Sequence, residues 1–146
     1  MTRSLFTVGY EGRNIDSFVT QLKKHSIDCL LDVREIPLSR KKGFSKSALS
    51  QRLSRENIRY IHFRDLGSPK PLREYLKLTG DYTTFFHKID QHLADRKETI
   101  EKAYSFVTTN TCCLMCFEKL AENCHRKIVA AKIKQRDGNG LKIMNF

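Results

Sequence analysis

A chain of 146 residues, 40% hydrophobic and 29% charged, is composed like an ordinary globular protein and fits one domain (1–146) that buries a core without staples. The longest apolar run, Cys112 to Phe117, is six residues and excludes a helical membrane span. A formal charge of +11 points to phosphate-bearing partners, nucleic acid among them, or else to a solvated basic surface.

The N-terminus passes directly into a strand pattern without a long apolar signal region, so a cytoplasmic protein is expected. Five cysteines, an odd number without an export signal, argue for free thiols rather than a disulfide framework.

Residues 5–9, LFTVG, read as a first strand that ends in Gly9-Tyr10-Glu11-Gly12, where glycine lets the chain turn and a ligand approach. The turn is too short for a dinucleotide fingerprint. Asn14 caps a helix carrying Ile15, Phe18, Val19 and Leu22 at helical spacing. Asp28–Val33 is a second strand, near-continuously apolar and so covered on both faces, carrying Asp32 and ending at Arg34. The loop EIPLSRKKGFSK follows, with Arg40, Lys41, Lys42 and Lys46 beside Phe44; clustered cations and an aromatic grip a phosphate or stack on a base, or else form a solvated loop.

Ser45 is placed to cap the next helix, which Asn57 ends, and RYIHF at 59–63 is a third strand in which His62 reads as a packed or hydrogen-bonded residue. GSPKP at 67–71 reads as a loop, and residues 72–107 as helical, with Asp81 a cap candidate and the aromatic stripe of Tyr82, Phe85 and Phe86 as core. Thr111–Phe117 is a fourth strand, followed by a helix from about Asn123 to Gln135. Gly138 and Gly140 then make a turn before a fifth strand at Leu141–Asn145.

Strands alternating with helices predict an α/β fold: a mostly parallel, Rossmann-like sheet of about five strands with helices on both faces. One sheet edge then collects the strand ends, with Gly9, Tyr10 and Glu11, Asp32 and Arg34, and Cys116 and Glu118. Glu118 and Asp32 are candidates for paired acid/base or nucleophilic work; salt bridges to Arg34 and Arg126 are the bland alternative. His125 and Arg126 are placed in a helix's first turn, which favours an anion.

Cys116 is a candidate nucleophile, although the Cys-x5-Arg loop of thiol phosphatases is absent. Cys113, Cys116, Cys124 and His125 offer four zinc-type ligands, but residues 113 and 116 of a strand point to opposite faces. Neither a metal nor a cofactor is expected.

The segments TVGYEGRNIDSF, LLDVREIPLSRKKGFSK, YIHFRDLG and CFEKLAENCHR together resemble the family catalogued as domain of unknown function 488, over nearly the whole chain and in order. The resemblance implies a compact α/β domain of bacteria and archaea. It also implies recurrent positions at Gly9, Tyr10, Asp32, Arg34, Pro37, Ser39, Phe44, Leu66, Gly67, Cys116, Glu118, Cys124, His125 and Arg126, and it supplies no reaction. Members usually carry Asp-Pro after the Glu-Lys pair, where this chain has Leu120-Ala121, so the following helix loses a start signal.

The leading expectation is a small enzyme, a hydrolase or group transferase, acting on a phosphate-bearing substrate such as a nucleotide or nucleic acid. Glu118 and Asp32 would do acid/base work, Arg34, Arg126, His125 and Arg40 would hold the anion, and Tyr10 would orient the substrate. The alternatives are a nucleic-acid-binding module without catalysis and a thiol or metal-dependent protein. The sequence leaves the oligomeric state open.

Overall fold

The computed structural model describes residues 3–146. Five strands, β1 (Ser4–Gly9), β2 (Cys29–Asp32), β3 (Arg59–His62), β4 (Cys112–Cys116) and β5 (Lys142–Asn145), form one sheet in the order β3-β2-β4-β1-β5. Every pairing is parallel. The α/β, Rossmann-like architecture expected from the alternation of strands and helices is therefore the observed one.

The apolar runs become central strands because both sheet faces are covered. Leu31, Cys112, Leu114 and Cys116 face one core with Phe85, Ile89, Val107, Val129 and Ile133. Leu30, Cys113 and Met115 face the other with Phe18, Leu22, Leu49 and Leu53. Strand alternation thus sends Cys113 and Cys116 to opposite sides, as expected.

Helices α1 (Ile15–Lys24) and α2 (Lys46–Ser54) cover the second face. The helices α3 (Lys70–Thr79), α4 (Tyr82–Ala94), α5 (Lys97–Thr109) and α6 (Arg126–Arg136) cover the first. No helix among the described residues is long and apolar enough to cross a membrane.

Local signals explain most element ends. The Asn14 side chain accepts the Ser17 N–H at 2.8 Å and starts α1. The expected helical stretch at 72–107 is corrected to three helices: Gly80, at φ 69°, turns the chain left-handed, and Asp81 caps α4 through the Thr84 N–H at 3.1 Å. The GSPKP loop is shorter than expected, because Lys70 and Pro71 already open α3, where a proline's missing N–H costs no helical bond.

Ser45 holds the cap position of α2, but its hydroxyl donates to the Ser39 carbonyl at 3.1 Å and folds the basic loop instead of capping. Asn123 does not open α6. It closes a 3-10 turn, Ala121–Asn123, after which an extended Cys124 delays the helix until Arg126, with His125 at the cap.

The strand order places the site. From β1 and β2 the chain leaves toward α1 and α2 on one face. From β4, which lies between those two strands, it leaves toward α6 on the other. Divergent exits open a crevice beyond the carboxyl end of the middle strand, where open α/β sheets bind ligands.

Candidate active site at the end of strand β4

The sheet ladder continues past the strand ends and rigidifies the crevice floor. The Val33 N–H donates to the Met115 carbonyl at 3.0 Å, the Tyr10 N–H to the Cys116 carbonyl at 3.1 Å and the Glu11 N–H to the Phe117 carbonyl at 2.9 Å. Gly9 is required here, because a Cβ at that position would overlap the Glu118 carbonyl and press on Arg126. Above this floor lies a cleft of about 340 Å³, within the range of small-molecule sites, whose walls include Tyr10, Arg34, Arg73, Cys116, Glu118 and His125.

Glu118 is half-buried, and burial raises its carboxyl above the ordinary carboxylate value, partly offset by the nearby Arg126 charge. One of its oxygens lies 3.5 Å from the Cys116 sulfur. The Glu11 carboxylate accepts the Lys119 N–H at 2.9 Å and pins the loop that carries Glu118.

His125 is 5% exposed. Its Nε2–H donates to the Val33 carbonyl at 2.7 Å, which fixes the tautomer and leaves Nδ1 facing the Cys124 sulfur at 3.7 Å. Burial lowers its pKa to about 4, so the ring is neutral near pH 7.

The sulfurs of Cys116 and Cys124 are in bonding contact as a disulfide, while Cys29, Cys112 and Cys113 are free and buried. This corrects the expectation of free thiols at two of five positions. The 3-10 turn at Ala121–Asn123 causes it, by bringing Cys124 back beside the end of β4.

Other expected site residues have structural work. Asp32 is fully buried; it accepts three bonds from Arg34, from the backbone N–H at 3.1 Å and from the guanidinium at 2.9 and 2.7 Å, and a short one from the Tyr60 hydroxyl. Its carboxylate is saturated and not available to pair with Glu118. Arg34 also donates to the Phe44 carbonyl at 2.7 Å and the Tyr10 hydroxyl at 3.3 Å. Burial opposes its charge, but Asp32 outweighs that and raises its pKa, so the cation at the cleft wall is already paired.

Arg126 is fully buried and does not reach a ligand. It donates to the Glu118 carbonyl at 2.5 Å, the Lys119 carbonyl at 3.2 Å, the Thr7 hydroxyl at 3.2 Å and the Cys116 sulfur at 3.3 Å. Phe44 is no stacking platform, because it is buried between Tyr10, at 4.5 Å, and Phe18. Arg40 is exposed, and Lys41 donates to the carbonyls of Tyr10 and Arg13. His62 donates to or accepts nothing in the cleft; its Nε2 bonds the Arg34 carbonyl at 2.7 Å.

Sequence reasoning missed Arg73, Glu35 and the rim. Arg73 lines the cleft from α3 and pairs with Glu35 at 2.9 Å. The rim exposes Ile36, Leu38 and Phe117, at 49, 71 and 46%. Large apolar groups left open beside a polar cleft were the available signal.

A parallel sheet with a cleft at its switch point, floored by a carboxylate and the Cys116 sulfur, defines a Rossmann-like α/β protein. The chain belongs to the family described as Domain of unknown function DUF488, whose model matches residues 14–133. No curated protein and no solved structure matches it.

Proposed function

We propose that the protein is an enzyme, a hydrolase or group transferase, that takes a phosphate-bearing substrate of the nucleotide class into the cleft above β4. The observation that carries this reading is the placement of Glu118: a carboxyl with a burial-raised pKa, held rigidly at the floor of a solvent-open cleft. Such a group suits general acid/base work.

The walls fit the substrate class. Arg73, paired with Glu35 at 2.9 Å, would exchange that carboxylate for a phosphate, and the exposed Phe117 with Ile36 and Leu38 offers a surface for a base to stack on. The +11 charge favours encounter with anions. Arg34 and Tyr10 shape the wall through their mutual bond.

The test is product formation from mononucleotides and short single-stranded oligonucleotides by the purified protein. Turnover of at least one is expected. Binding without turnover, weakening steeply as salt rises, would instead establish the non-catalytic binding module that the exposed Arg40, Lys42 and Lys46 favour.

A further inference from the structure

We propose that Cys116, Cys124 and the Nδ1 atom of His125 form a binding site for a thiophilic divalent cation, Zn²⁺ being the ion that suits them. The ligand atoms of the three residues all lie within 4.8 Å of one another. Two thiolates and an imidazole are a zinc donor set that leaves one coordination position open. Neither the family nor the proposed acid/base role of Glu118 assigns this site.

Four features of the surroundings point to an ion. First, the His125 Nε2–H is anchored on the Val33 carbonyl, so the lone pair of Nδ1 is aimed at the sulfurs. Metal-ligating histidines are held by such a bond on the opposite nitrogen. Second, both sulfurs receive N–H donors, Cys116 from the Arg126 guanidinium at 3.3 Å and Cys124 from the Arg126 backbone at 3.4 Å, an arrangement that favours thiolates.

Third, the Cα atoms of the two cysteines are 7.7 Å apart, which leaves room for an ion between the sulfurs once the Cys116–Cys124 bond is reduced. Two thiolates, each about 2.3 Å from a shared ion, span such a separation.

Fourth, Arg126 needs a negative neighbour. Arg126 is buried, and its four side-chain acceptors are two carbonyls, a hydroxyl and a sulfur, none of them a carboxylate. A buried cation needs a counter-charge. A Cys116 thiolate, 3.3 Å from the guanidinium, supplies it in the reduced site. The Cys116 sulfur lies 3.5 Å from Glu118, so the site adjoins the cleft floor.

The site is testable on the full chain, reduced anaerobically with a phosphine and titrated with Co²⁺ and then Zn²⁺. The expected result is one equivalent of Co²⁺ with a thiolate-to-cobalt charge-transfer band and tetrahedral d–d bands, both discharged by one equivalent of Zn²⁺. Cys116→Ser and Cys124→Ser should each weaken binding at least 100-fold, and His125→Gln at least 10-fold. Cys113→Ser, on the opposite sheet face, should leave it unchanged.

X-ray absorption of the zinc-loaded wild type checks the donors if a variant fails to fold, and two sulfurs with at least one imidazole are expected. A reduced protein that binds neither ion stoichiometrically, or zinc held by oxygen and nitrogen alone, overturns the site. Because these readouts need no turnover, an inactive protein that still shows the cobalt bands keeps this site and loses the proposed acid/base role of Glu118.

Discussion

Replacing Glu118 with glutamine is expected to lower turnover by about 10²- to 10⁴-fold, the usual contribution of a positioned acid or base, while the substrate still binds. The amide keeps the size and shape of the side chain and removes only the proton that it exchanges. Burial already disfavours the charged form of Glu118, so a neutral amide costs little there and the unfolding free energy should stay within about 0.5 kcal/mol of the wild type. Affinity for an anionic substrate should be unchanged or higher, because the amide carries no negative charge, whichever protonation state Glu118 holds in the wild-type cleft. Steady-state kinetics and equilibrium binding on the same variant separate the two effects. Full turnover in Glu118→Gln would remove Glu118 from the chemistry.

Asp32→Ala is expected to destabilise the fold by about 3–5 kcal/mol, the cost of leaving one partner of a buried ion pair uncompensated. Arg34 is 7% exposed and would keep its charge with only the Tyr10 hydroxyl and the Phe44 carbonyl as side-chain acceptors, and Tyr60 would lose the acceptor of its hydroxyl. Domains are typically stable by only about 5–15 kcal/mol, so this is a large share. A control separates the pair from the packing: the double change Asp32→Leu with Arg34→Leu should cost less than Asp32→Ala alone, because no charge is stranded. Urea unfolding of both measures it. A loss under about 1 kcal/mol in Asp32→Ala would show that the pair is not what holds β2 to the loop beyond it.

The two carboxylates illustrate what the sequence discloses and what it hides. Both sit at strand ends, and alternating strands and helices were enough to put those ends on one edge. Tyr10, Arg34, Cys116, Glu118 and His125 do meet around one cleft. What the pattern lacks is the strand order. Nothing in the apolar runs says that β4 inserts between β1 and β2, and that insertion makes Glu118 face the cleft while Asp32 turns to Arg34 and Tyr60.

Arg126 was legible as a polar residue near a helix start. The missing helix signal at Leu120-Ala121 hid the extended Cys124 that pulls Arg126 into the core and Cys124 onto Cys116. Phe44 among cations looks like a surface aromatic. It is core because Gly43, at φ 91°, turns the loop back onto Ile15 and Phe18. Arg73 carries no local mark at all: on a helix, 38 residues from Glu35, it reads as one more solvated charge.

The account rests on the crevice beyond β4 being where a phosphate-bearing ligand sits. Backbone amide chemical shifts recorded while a mononucleotide is titrated in test this most directly. The largest changes are predicted at Glu35, Ser68, Phe117 and Glu118, which surround the cleft. Changes confined to the exposed basic loop around Arg40 and Lys46, with the end of β4 silent, would contradict it.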